Sequence, residues 1–160
     1  MSECPVVGVV PWEQMCGEDG EETVALRRMA REAEEYLSAH DWCEAVSARF
    51  FGAGIGGVAA AFLFQVSGPP HVDEWLWVIV GDLPSAYFVT DQTRRPSEAF
   101  EAYADLMDEW IRSVRSEASL ADVYPVDAPA DEEHAAMLAS RTQFIRAEIV
   151  PRVRRQEEDS

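Results

Sequence analysis

Residues 49–66 read RFFGAGIGGVAAAFLFQV, and the role of the glycines in this stretch decides the architecture. Gly52, Gly54 and Gly57 spell G-x-G-x-x-G ahead of an alanine-rich apolar run, the spacing at which a dinucleotide-binding βαβ unit turns from its first strand into its first helix. Such a unit needs a buried strand before the glycines, a full helix after them and an acid at the far end of the next strand to hold the ribose. None of the three is present. The segment before, EAVSARF, is half apolar and carries Arg49. The apolar run after the glycines is short, stops at GPP and is rich in Phe and Val. Asp73 and Glu74 precede the next apolar run instead of following it. The stretch therefore predicts Gly52, Gly54, Gly56 and Gly57 at the turn or bulges of a β-hairpin, where a side chain would clash, and no NAD, FAD or other cofactor is expected.

Outward from the glycines, residues 46–51, 58–66, 75–80 and 86–90 are short apolar, β-branched or aromatic runs divided by Gly, Pro or Asp, and they read as four strands. In WLWVIV (75–80) both alternating faces are apolar: Trp75, Trp77 and Ile79 on one, Leu76, Val78 and Val80 on the other. A strand of that kind is covered twice. The turn GDLP (81–84) makes the last two strands an antiparallel hairpin. Residues 21–39 form a helix by the spacing of Leu26, Ala30, Ala33 and Leu37, with Asp19 or Gly20 as cap. A second helix starts at Ser97 as N-cap behind Pro96 and carries an apolar stripe of Phe100, Tyr103, Met107, Trp110, Ile111 and Val114. A third begins near Asp131 and ends or kinks at Pro151, leaving residues 151–160 as a frayed tail. Residues 1–18 are expected as coil, with Val6, Val7, Val9 and Val10 against the body. The whole is a single α+β domain over residues 1–160: a mostly antiparallel four-stranded sheet covered by about three helices, in the order α-β-β-β-β-α-α.

Thirty acids against thirteen cations give a formal charge of -17. A surface so negative repels nucleic acid and anionic membranes, and its natural charged partners are basic. Every cation is arginine, and lysine and asparagine are absent, a skew that fits a GC-rich bacterial genome. The first residues have no basic segment and are broken by Pro5 and Pro11, so neither a signal peptide nor a membrane span is expected. Cys4, Cys16 and Cys43 are odd in number and loosely spaced. They fit free thiols in the cytoplasm better than a Cys3His zinc site with His40, and no metal is expected.

Two sets of residues are candidates for function. Glu98, Glu101, Asp105 and Asp108 line one side of the second helix, opposite its apolar stripe, and a further acidic cluster lies at residues 18–22. As an exposed anionic face this row would bind a basic partner. The alternative set is Asp82, Tyr87, Asp91 and Arg94 at the two ends of the GDLP hairpin, where Asp82 and Asp91 would act as acid and base and Arg94 would hold an anion. His71 and His134 have no Ser or Cys at a telling distance, so no nucleophilic triad and no catalytic residue is assigned.

The run DEWLWVIVGDLPSAYFVTD, then EAFEAYADLMDEWIRSV and SLADVYPVDAP, resembles a family of small, uncharacterised acidic bacterial proteins that share the GDLPSAY core, across roughly residues 42–150. The resemblance implies a one-domain bacterial protein and no known activity. The expectation for function is a non-enzymatic, protein-binding module that docks on a basic protein, as an immunity protein docks on a toxin or nuclease. The alternatives are a nucleic-acid mimic, a small enzyme using Asp82 and Asp91, and a homodimer formed through an exposed aromatic strip.

Overall fold

The apolar runs on either side of the glycines pair as an antiparallel meander. The computed structural model describes residues 4–69 and 71–159, and of residues 71–73 the backbone alone. Strands β1 (Val10–Pro11), β2 (Ala45–Ile55), β3 (Ala59–Gly68), β4 (His71–Gly81) and β5 (Ala86–Val89) lie side by side in chain order. Each neighbouring pair is antiparallel, as connections of only a few residues require. The sheet has five strands where four were expected. The fifth, β1, comes from the segment expected as coil and pairs Val10 with Phe51 and Pro11 with Phe50. Pro11 has no N–H to give a ladder, which suits it only to an edge.

The glycines serve the hairpin. Residues 56–58 form its turn, with Gly57 at φ +78°, a conformation that a side chain rarely adopts. A register shift between Phe51 and Ala53 places Gly52 in a bulge. A Cβ at Gly52 would come within 3.0 Å of the Trp77 ring and 3.1 Å of the Ala61 carbonyl.

Both faces of the sheet are buried, as WLWVIV indicates. Leu76, Val78 and Val80 of β4 join Ala60, Phe62, Phe64 and Val66 of β3 under α1 (Gly20–Ser38), which contributes Leu26, Met29, Ala30, Ala33 and Leu37. Asp19 caps α1, accepting the Glu22 N–H at 2.8 Å. Trp75, Trp77 and Ile79 point the other way, into a second core with α2 (Pro96–Arg115), whose Phe100, Tyr103, Met107, Trp110 and Ile111 are buried there. Helix α2 is capped differently from the sequence expectation. Ser97 lies inside its first turn, and its N–H and hydroxyl both donate to the Glu157 carboxylate, at 3.0 and 2.7 Å.

That contact corrects the reading of the C-terminus. The chain is helical from α3 (Glu132–Phe144) through a π-helical turn (Ile145–Ile149) into α4 (Val150–Glu158). Residues 151–158 are therefore not frayed: Val153 is buried in the second core. Pro151 is accommodated because the wider turn lets the Val150 N–H reach back to the Ile145 carbonyl. The proline then falls in the first turn of α4, where a missing N–H costs little. Among the described residues no helix is long and apolar enough to cross a membrane.

Candidate binding surface

The acidic row of α2 does not form a free face. That flank of the helix packs beside the rod made by α3, the π turn and α4, and the rod presents arginines to it. Glu101 pairs with Arg154. Asp105 and Asp108 both pair with Arg146, the Asp105 contact being 2.6 Å. Glu98 accepts the backbone N–H of Arg94 at 3.0 Å, ahead of the helix. One side of α2 is filled by its apolar stripe, so the acids on its flank meet the next helix, and Arg154 comes from the very residues expected to fray. These are exposed pairs, each worth no more than about 1 kcal/mol, but they neutralise the row locally and interrupt any phosphate-like series of carboxylates.

The hairpin-end set does not converge. Asp82 is tied to α3: Arg141 donates through Nε to its backbone carbonyl at 3.0 Å and through Nη2 to its carboxylate at 3.1 Å. Beside this pair lies a cleft of about 140 Å³ lined by Leu83, Trp110, His134, Met137 and Leu138. His134 faces Asp131, with Nδ1 2.7 Å from Oδ1, and the same oxygen accepts the His134 backbone N–H, so this contact is the N-cap of α3. Hydrogen bonds from His134 hold the Asp131 carboxyl below the usual carboxylate range. Asp91 is exposed beyond the other end of β5. At roughly 3.3 Å per residue, the strand alone separates it from Asp82 by more than 10 Å, too far for two carboxylates to work on one atom. Arg94 lies past Asp91, exposed, and Tyr87 belongs to a different cluster. The cysteines are free thiols, Cys4 and Cys16 exposed and Cys43 half-buried. Among the described residues no three His, Cys, Asp or Glu side chains are placed to hold a metal. The His71 side chain lies outside the described residues.

What the fold does gather is aromatic. Tyr36 from the last turns of α1, His40 and Trp42 from the turn that follows, Tyr87 from β5 and Tyr124 from the loop between α2 and α3 meet at one corner of the sheet. Ring centroids are 5.2 Å apart for Tyr36 and His40, 5.6 Å for His40 and Trp42, 4.9 Å for His40 and Tyr87, and 5.4 Å for Trp42 and Tyr87. Polar handles fix the rings. His40 Nδ1 lies 3.0 and 3.2 Å from the carbonyls of Tyr36 and Leu37. Carbonyls only accept, so this nitrogen carries the proton and closes the C-terminus of α1.

The Tyr124 hydroxyl accepts the Tyr87 N–H at 2.9 Å and donates to the Tyr87 carbonyl at 2.7 Å, closing the outer edge of β5 at that residue. Burial pushes the phenols of Tyr36 and Tyr124 above the usual tyrosine range. All five residues are half-buried. Around them in the chain stand the exposed carboxylates Glu35, Asp41, Glu44, Asp91 and Asp122. No spacing in the sequence reveals this cluster, because its members come from four separate segments; Tyr87 was singled out only with the hairpin ends and His40 only with the cysteines.

Comparison with protein-family models, curated proteins and solved structures gave no match.

Proposed function

We propose that this chain is a non-enzymatic binding protein for a basic protein partner, a cytoplasmic inhibitor of the immunity type that docks on a cationic toxin or nuclease. The charge of -17 carries the reading. Six of the thirteen arginines, Arg49, Arg115, Arg141, Arg146, Arg152 and Arg154, are already held in ion pairs within the molecule. Among the described residues seven acids hold these arginines, and with thirty acids against thirteen cations in the chain the field outside the protein is strongly negative. A field of that sign raises the local concentration of a cationic partner and speeds encounter by roughly 10- to 1000-fold. A nuclease is cationic where it grips its substrate, so an acidic inhibitor placed there would both find and cover the site.

Pairing with the C-terminal rod takes Glu101, Asp105 and Asp108 out of the steering role, which passes to exposed carboxylates with no ion pair among the described residues, among them Glu35, Asp41, Asp91 and Asp122. The test is capture of the tagged protein with its companions from its native cells, followed by size-exclusion chromatography of the purified pair. The expected companion is a basic protein that forms a stoichiometric complex. Companions that are all acidic or neutral would refute the reading.

A further inference from the structure

We propose that the aromatic corner of the sheet is where an arginine side chain of the basic partner anchors, between the rings of His40, Trp42 and Tyr87 and the carboxylates of Asp41 and Asp91. The proposal rests on the reading of the chain as a binder of basic protein and adds the attachment point. Aromatic faces attract guanidinium groups, most strongly when a carboxylate can pair with the same cation. The molecule already holds one of its own arginines this way: the Arg49 guanidinium lies 5.9 Å from the centre of the Trp12 ring and is paired with Glu34. At the corner, half-buried rings keep part of their surface in solvent, and exposed acids lie near them in the chain, Asp41 between His40 and Trp42 and Asp91 four residues past Tyr87, beyond the end of β5.

Two further features favour docking by side chains. The rings are held in place before any partner arrives, by the His40 cap on α1 and by the Tyr124 clamp on Tyr87, so binding costs little ordering entropy. The same clamp occupies both outward backbone groups of Tyr87, which closes this edge at that residue to an added β-strand.

The test uses a random-peptide display library panned on the purified full chain. Three variants are then measured against the best peptide: Trp42→Ala, the double substitution Asp41→Asn with Asp91→Asn, and, away from the corner, Glu101→Gln with Asp105→Asn. The proposal expects an arginine-enriched pool. It expects affinity to fall about tenfold with Trp42→Ala, to fall several-fold with the corner aspartates neutralised, and to be unchanged by the α2 pair. If Trp42→Ala does not fold, the aspartate variant, which alters only exposed side chains, decides. Arginine enrichment that neither corner variant weakens overturns the anchor and leaves the basic-partner reading standing. A pool without basic residues overturns both.

Discussion

The Tyr124 hydroxyl closes two backbone groups of an edge strand at once, and its removal leaves both without their partner. Tyr124→Phe should cost about 1–3 kcal/mol in urea unfolding, the penalty for leaving partly buried polar groups unsatisfied. Because an exposed edge is a template for pairing, the variant should also aggregate faster on mild heating. Tyr103→Phe removes the bond to the Pro84 carbonyl, 2.7 Å long and on a buried side chain, and should cost a similar amount without the aggregation. Equal aggregation of the two variants would show that the clamp does not guard the edge. At this scale the sequence was hard to read. Tyr103 was legible as core from the stripe on α2, but Tyr124 sits in a Pro-containing loop with no period, and its partner is 37 residues away. Asp82 and Asp91 looked like a pair because they bracket one hairpin, whereas the strand between them keeps them apart.

Elements with strong periodicity were legible. WLWVIV indicated a doubly covered strand because both of its faces are apolar, and α1 and α2 followed from stripes at helical spacing. The short β1 left no pattern to detect, since two residues have no period. The course of the chain past Pro151 was hidden because a proline ordinarily stops a helix, and a π turn that absorbs it leaves no mark in the sequence. Truncation after Ile149 tests the correction. It removes the buried side chains of Val150 and Val153 and the Glu157 contact to Ser97. At about 1.5–3 kcal/mol for each of the two buried valines, the shortened chain should lose on the order of 3–6 kcal/mol in chemical denaturation. A truncated protein as stable as the parent would mean that the segment does not pack.

For the molecule as a whole, two conditions should move stability in opposite directions. Self-repulsion at a charge of -17 opposes the compact state, so raising salt from roughly 20 to 200 mM should raise the melting temperature as charges are screened. Alkali should lower stability. Burial raises the phenols of Tyr36, Tyr103 and Tyr124 above their ordinary value. The folded state therefore keeps protons that the unfolded chain gives up near pH 10, and stability is complete below that pH and lost as pH climbs above it. Phenolate absorbance of these tyrosines should appear together with loss of near-ultraviolet circular dichroism. Tyrosine ionisation near pH 10 with the fold intact would contradict the packing described for them.

Steering of a basic partner by exposed carboxylates is read from the association rate constant with the captured partner, measured by stopped flow from roughly 50 to 500 mM salt. The rate should fall at least tenfold across that range. The slope should flatten when Glu35, Asp41, Asp91 and Asp122 are neutralised together, and stay unchanged when Glu101, Asp105 and Asp108 are. A rate indifferent to salt, or a slope governed by the α2 acids instead, would mean that these carboxylates do not steer the partner.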